Sequence, residues 1–462
     1  MGSISRPTRL LNTRNYQLET PGAAVKYAIL SHTWSNEEVT LQDWKRRHHG
    51  VEETAGSKKI LDACGVAARE GYRYLWVDTC CIDKTNTAEL GEAIPSMFAW
   101  YRHAAICYTY LSDVDAAMSP MEGLRESRWF NRGWTLQELL APTNMQFLAS
   151  DWSTLGSRID LIEDLAVITA IDVSVLAHKK PLSRCSIAQK FSWASARATT
   201  KPEDLAYCLL GVIGVSISPS YGEGGEKAFR RLQEEAWKSS PDISFLAWRH
   251  VEPVRASALF AVSPKDFFGC GTDLLNDHAT GTEHWTTNLG LMGKFLVVEG
   301  QVAEDSSSLL VLLGCHTADS LDTCLALRVS RGKETDAQSI AAVTVLPAQS
   351  ANASLLHRTQ AISHQVVLSA KLMKVTILFH ESAIAPRKPE PMLRIMQSFD
   401  GIDGVSDSGT NRVPALPHSP RRWFTNRICV AACVLLVVAA IVGGAVGGVL
   451  GKKATHRADH ST

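Results

Sequence analysis

The chain lacks a net charge: Lys plus Arg and Asp plus Glu both number 47. That balance removes the electrostatic footprint of a dedicated nucleic-acid binder, so no nucleic acid is expected as a partner. The eleven cysteines form no C-x-x-C pair, and 462 residues are far too many for a disulfide-stapled mini-domain. They read as reduced thiols in a reducing compartment. The first twelve residues hold no apolar run of a secretory signal, and Arg6 stands where a myristoylation motif needs Ser or Thr. No Gly-Lys-Ser/Thr follows Gly222-Glu-Gly-Gly225, and Glu223 and Glu226 would repel an anion. A tight helix entry is therefore expected there rather than a phosphate cradle. Apolar side chains are not scarce. At 45% hydrophobic and 20% charged, the chain is neither disordered nor short of core, and its length suggests two to four domains.

One long apolar run is present. From Ile428 to Leu450 every residue is apolar or Gly, with Arg421, Arg422 and Arg427 before it and Lys452, Lys453 and Arg457 after. About 23 residues at about 1.5 Å each reach about 34 Å, enough to cross a hydrocarbon core with some tilt. Gly443, Gly447 and Gly451 stand four apart, a spacing that lets spanning helices approach closely but equally serves as lipid-facing flexibility. The flanking charges nearly balance and do not orient the segment. The simplest expectation is a single-pass membrane protein whose N-terminal body lies in the cytosol.

Ahead of that run the pattern changes three times. In residues 1–150, β-like segments Tyr27–Ser31, Tyr74–Asp78, Ile106–Leu111 and Met145–Ala149 alternate with helical patterns over Ser57–Glu70, Ala88–His103 and Trp134–Leu140. Pro95 is expected to kink the second helix or mark its first turn. Strands alternating with helices predict a parallel, doubly wound α/β sheet. Residues 151–240 read as a helical extension, with Thr200-Lys-Pro-Glu-Asp as a capped helix start and a further helix over Glu226–Lys238. Residues 241–383 read as a β-rich domain, a sandwich or barrel of short strands including Leu309–Leu313, Cys324–Val329, Val366–Leu372 and Val375–Phe379. Residues 384–427 read as a flexible linker, 428–450 as the membrane helix and 451–462 as a polar tail.

Functional groups of doubly wound sheets gather beyond the carboxyl ends of the strands. That rule selects Ser31, His32 and Trp34 after the first strand, Asp78, Thr79, Cys80, Cys81 and Asp83 after the second, and Asp113 after the third. Glu138 lies on the helix before the fourth. Three chemistries fit the set. Cys80 or Cys81 paired with His32 would be a thiolate nucleophile, opposed by acidic neighbours and by the usual burial of free cysteine. His32, Cys80, Cys81 and Asp78 would be a metal site, opposed by the lack of a second ligand pair. Glu138, bordered by Trp134 and Leu136, would be a partly desolvated carboxyl able to act as acid, base or stabiliser of a cation, against the plain alternative of a surface carboxylate.

Several blocks resemble the fungal heterokaryon incompatibility (HET) domain: Tyr27-Ala-Ile-Leu-Ser-His-Thr-Trp34, Trp76-Val-Asp-Thr-Cys-Cys-Ile-Asp83, Cys107-Tyr-Thr-Tyr-Leu-Ser-Asp-Val114 and Arg132-Gly-Trp-Thr-Leu-Gln-Glu-Leu-Leu-Ala-Pro142. Trp193-Ala-Ser-Ala-Arg-Ala-Thr-Thr200, Glu203-Asp-Leu-Ala-Tyr-Cys-Leu-Leu-Gly211 and Tyr221-Gly-Glu-Gly-Gly225 extend the likeness, from about Leu10 to Gln233. The resemblance implies a role in allorecognition, triggering cell death after hyphae of different genotype fuse. It also implies kinship with the Toll/interleukin-1 receptor-like (TIR) and flavodoxin-like folds. Trp134-Thr-Leu-Gln-Glu-Leu139 is similar to a stretch of plant TIR domains whose Glu is catalytic for cleaving NAD. Carried over, Glu138 is the catalytic residue, and Ser31, His32, Trp34, Asp78, Cys80, Asp83 and Trp134 are the ligand-binding set. NAD is then a substrate, with no resident cofactor and no metal. The implied partners are further copies of the chain or HET- and NLR-type proteins. The competing reading is a non-enzymatic adaptor that signals by association at a membrane.

Overall fold

In the computed structural model, residues 6–378 are described except 23–24, 48–53, 250–258, 272, 276–283, 287–289, 300–307, 318–322, 332–333, 337–338, 346–358 and 364–370. The apolar run at 428–450 and the linker before it lie outside these residues. Among the described residues no helix is long and apolar enough to cross a membrane.

Seven strands form the first sheet: β1 (Leu10–Asn12), β2 (Leu18–Glu19), β3 (Ala28–His32), β4 (Tyr74–Trp76), β5 (Ile106–Tyr110), β6 (Met145–Leu148) and β7 (Thr154–Ser157). Their order is β2-β1-β4-β3-β5-β6-β7. The central four are mutually parallel, while β1, β2 and β7 extend the edges antiparallel. In chain order the parallel strands lie second, first, third, fourth, as in doubly wound flavodoxin-like sheets, and the order reverses between β3 and β5. All five residues of β3 are buried, as expected of a strand covered on both faces.

Among the described residues, twelve α-helices surround the sheet and continue beyond it: α1 (Leu41–Arg47), α2 (Ala55–Arg69), α3 (Asp78–Cys81), α4 (Thr87–His103), α5 (Pro120–Glu126), α6 (Thr135–Leu140), α7 (Ile162–Thr169), α8 (Val173–Leu176), α9 (Ile187–Ser192), α10 (Asp204–Tyr207), α11 (Leu210–Ile213) and α12 (Gly225–Ser239). Helix α2 forms where the spacing predicts. Ile60, Cys64 and Ala67 face the core, Thr54 and Ser57 make a reciprocal capping box, and Gly71 turns the chain away at φ +84°. Two expectations are corrected, and a third is narrowed. Strand β4 stops at Trp76, and Asp78 opens the one-turn α3 instead of ending the strand. Pro95 sits well inside α4, which excludes the first-turn position of the two expected for it. Thr200 does not cap a helix; α10 begins at Asp204 behind Glu203, with no side-chain cap.

The Gly-rich stretch is a helix entry, as its acidic residues suggested. Gly222 and Gly224 take φ +96° and +86°, and both their N–H groups donate to Glu203 Oε1, at 2.9 and 3.0 Å. A carboxylate of the chain itself fills that turn.

Packing continues past residue 240. Asp242 and Ser244 accept from the backbone N–H groups of Ile187 and Ala188 at the start of α9, and the Gln233 amide pairs with Ala261 in both directions. Ten further strands follow among the described residues: β8 (Asp273–Leu275), β9 (His284–Thr286), β10 (Gly290–Glu299), β11 (Ser308–Leu312), β12 (Cys315–Thr317), β13 (Thr323–Arg331), β14 (Glu334–Asp336), β15 (Ser339–Val345), β16 (Thr359–Ser363) and β17 (Lys371–Leu378). Strands β15, β17, β10, β11 and β13 pair in turn, and β13 pairs again with β15, which closes the ring. Of the two β architectures expected, this is the barrel, antiparallel except between β15 and β17. Of the expected strand Val366–Leu372, residues 366–370 lie outside the described residues. Trp237 of α12 stacks on Phe295 of β10, centroids 6.0 Å apart, tying the helices to the barrel.

Candidate functional site

A cavity of about 300 Å³ opens at the carboxyl end of β3, beside the point where strand order reverses. Glu138 of α6 stands at its floor. The residue is half-buried, since the cavity exposes a carboxyl that protein otherwise surrounds. Ser31 Oγ donates to Glu138 Oε2 at 2.5 Å and accepts from the Trp129 indole N–H at 2.8 Å. The Tyr101 hydroxyl also reaches Glu138. Burial pushes the Glu138 carboxyl up to about 8. The Ser31 and Tyr101 hydrogen bonds and the Arg132 charge pull the other way, and the nearby Asp78 charge adds to the rise. Glu138 is thus mostly protonated at neutral pH until something cationic joins it.

Two buried arginines fix α6. Arg158 donates to the carbonyls of Leu139, Pro142 and Thr143, satisfying the helix's C-terminal end. Arg197 donates to the Arg132 carbonyl and to Thr135 Oγ1, both at 2.9 Å, at the N-terminal end. Burial lowers both guanidinium groups to about 10.

On the sheet side, His32 Nε2 donates to Asp78 Oδ1 at 3.0 Å; the ionised carboxylate can only accept, which places the hydrogen on that nitrogen. Asp78 Oδ2 accepts from Trp34 Nε1 at 3.0 Å and pairs with Lys84 at 3.3 Å. Burial pushes Asp78 up, but Lys84 and His32 outweigh it and hold the carboxyl well below the usual range. The Lys84 ammonium lies 3.5 Å from the centroid of the Trp34 ring, which is 41% exposed at the rim. His32 Nδ1 is buried without a hydrogen bond, 4.0 Å from Glu38 Oε1.

The opposite wall comes from residues 132–221. Arg132 and Ala198 form a parallel bridge, Gly133 N–H donates to the Ala198 carbonyl at 2.9 Å, and Thr199, Thr200 and Lys201 continue along the cavity. A Cβ on Gly133 would lie 2.5 Å from Thr199 Cγ2, so only glycine permits this approach. Asp204 accepts from Trp134 Nε1 at 3.1 Å and from the Tyr221 hydroxyl at 2.9 Å, and burial raises its carboxyl. The Lys201 ammonium lies 3.8 Å from the Tyr221 ring centroid.

Of the residues selected from sequence, His32, Trp34, Asp78, Trp134 and Glu138 line this one cavity, and Ser31 stands directly behind Glu138. Cys80 and Asp83 do not reach it. Because Asp78 opens a one-turn helix, the residue two positions on projects to the opposite side, and Cys80 is fully buried in the core. Its thiol is pushed well up by Cys81 and by burial, which opposes thiolate chemistry. Asp83 instead accepts from Gln42 Nε2 and from Thr85. Asp113 caps the turn at Ser127 and Arg128. The eight cysteines from Cys64 to Cys315 are buried, and no group of three metal-ligating side chains occurs among the described residues. Sequence reasoning missed Lys84, Arg132, Lys201, Asp204 and Tyr221. Arg132 and Tyr221 open two of the blocks quoted above, but no spacing rule brings such distant segments together.

Residues 27–125 match the family model described as Heterokaryon incompatibility protein (HET). The chain carries a HET domain. A curated relative, Vegetative incompatibility protein HET-E-1 of Podospora anserina, is 42% identical over 226 residues, which cover 47% of this chain and 16% of that protein. The chain thus spans about a sixth of the relative's length. No solved structure matches it. The family match covers Ser31, His32 and Asp78, whereas Glu138 and the opposite wall lie beyond residue 125.

Proposed function

We propose that this chain acts in heterokaryon incompatibility and that its HET domain triggers cell death by cleaving NAD at Glu138, in the manner of TIR domains. The observation that carries the reading is the half-buried Glu138 carboxyl, fixed by Ser31 at the floor of a cavity walled by Trp34, Trp134 and Tyr221. In the reaction, the bond between ribose C1′ and the nicotinamide nitrogen breaks with its electron pair going to nitrogen, and neutral nicotinamide leaves. Positive charge grows on C1′ and the ring oxygen. A carboxylate opposite that charge, half-buried at the cavity floor, stabilises the transition state. Water then adds to C1′ and releases a proton to solvent. The pyridinium of the bound substrate supplies the cation that drives Glu138 to its ionised form. The apolar run at 428–450 would hold the cytosolic body at a membrane, and association with further copies or with HET- or NLR-type partners would switch it on.

The test is NAD consumption by the full chain, brought together by a dimerising tag, for wild type and Glu138→Gln. The reading expects loss of at least about 100-fold in kcat for the variant, with loss of cell killing in parallel. Equal NAD consumption and equal killing by the two proteins would overturn it. Killing that survives Glu138→Gln without any NAD consumption would favour the adaptor.

A further inference from the structure

We propose that Arg132 and Lys201 form an anion subsite on the second wall of the cavity, which takes the phosphate of one nucleoside phosphate unit. This rests on the reading of the cavity as a nucleotide site and narrows it to the part of the ligand that is enclosed. Three cationic side chains line the cavity, and they are not equivalent. Lys84 is already paired with Asp78. Among the described residues, neither the Arg132 guanidinium nor the Lys201 ammonium has a carboxylate within ion-pair distance; the recorded partner of Lys201 is the face of Tyr221. An anionic ligand would give the half-buried guanidinium a direct ion-pair partner that the described side chains do not supply. The two stand on one rigid wall, because the Arg132–Ala198 bridge, the Gly133 hydrogen bond and Arg197 lock the two backbone segments together. The carboxylate on that wall, Asp204, has its oxygens engaged by Trp134 and Tyr221. Size sets the rest. About 300 Å³ is the lower end of the range of small-molecule sites. It encloses one nucleoside phosphate and leaves the second half of a dinucleotide at the rim.

The experiment measures binding by calorimetry to the full chain carrying Glu138→Gln, which keeps the ligands intact. The probes are nicotinamide riboside, nicotinamide mononucleotide, AMP and NAD. Expected are mononucleotide and NAD affinities within about threefold of each other, a riboside at least about tenfold weaker, and a mononucleotide affinity that falls with salt. Adding Arg132→Gln and Lys201→Gln should bring the mononucleotide down to the riboside's affinity and leave the riboside unchanged. Lys201→Gln alone, at an exposed position, gives part of the loss if the double variant fails to fold. A riboside that binds as tightly as the mononucleotide, a mononucleotide indifferent to these substitutions, or no binding of any phosphate probe overturns the inference. AMP and mononucleotide binding that depends on Arg132 and Lys201, in a protein whose wild type leaves NAD intact, would sustain the subsite and refute the proposed reaction.

Discussion

Ser31 Oγ and Glu138 Oε2 are 2.5 Å apart although 107 residues separate them in sequence. The bond joins the innermost parallel strand to the helix that precedes the last one, and it favours the ionised carboxyl against the burial that opposes it. Ser31→Ala removes that support, so the Glu138 carboxyl should move above its present value of about 8. If the carboxylate is the working form, kcat/KM for NAD rises with pH through Glu138's transition in the wild type, and the rising limb shifts to higher pH in Ser31→Ala. Initial rates from pH 6 to 10 check this. An unshifted limb would mean that the limb reports another group.

The same carboxyl makes a stability prediction of definite sign. Its pKa is raised in the folded state relative to the unfolded chain, so the folded protein holds the extra proton between about pH 4.5 and 8. The contribution is most favourable below the unfolded value and is lost as pH rises through the folded one. Glu138→Gln should therefore gain melting temperature over wild type progressively from pH 5 to pH 8. The difference should be on the order of 1–2 kcal/mol at the upper end, after allowing for solvent that reaches the carboxyl through the cavity.

Arg158 has a different duty. It donates to three carbonyls at and beyond the end of α6, and Arg158→Met would leave those of Leu139 and Pro142 buried and short of a donor. A loss of about 3 kcal/mol or more in unfolding free energy is expected from urea titration. Arg158→Lys should recover only part of it, because an ammonium cannot span the three acceptors as the planar fork does.

Thiol chemistry offers a check of the alternative nucleophile. The eight cysteines from Cys64 to Cys315 are buried, and Cys80 is disfavoured as a thiolate. In the native protein, N-ethylmaleimide should leave these eight unmodified over a time in which it labels them fully in denaturant, and NAD consumption should survive the treatment.

Much of the first sheet is legible in the sequence because its signals are local. Ile60, Cys64 and Ala67 recur at helical spacing, Gly71 ends the pattern, and each parallel strand is a short apolar run between such helices. The errors arise where local signals are silent. Val77-Asp78 continues the strand's apolar start, and only the tight approach of His32, Trp34 and Lys84 around Asp78 turns the chain into α3. Pro95 sacrifices the hydrogen bond to Gly91, a residue with no side chain to hinder the adjustment, while buried Ile94 and Trp100 hold the helix on the sheet. The strand-end rule finds His32, Asp78 and Glu138 but overreaches to Cys80, since it counts positions and not the direction in which a helical side chain leaves the backbone. The far wall was out of reach, because Arg132, Lys201, Asp204 and Tyr221 meet only through tertiary packing.

The cavity has two walls of different origin, one from the sheet edge and one from residues 132–221, the latter held together by the Arg132–Ala198 bridge. Drift in residues 198–221 can reshape what is admitted while Ser31, His32, Asp78 and Glu138 keep their mutual distances. Lineages that share the inner hardware are thereby free to diverge in the small molecules they accept.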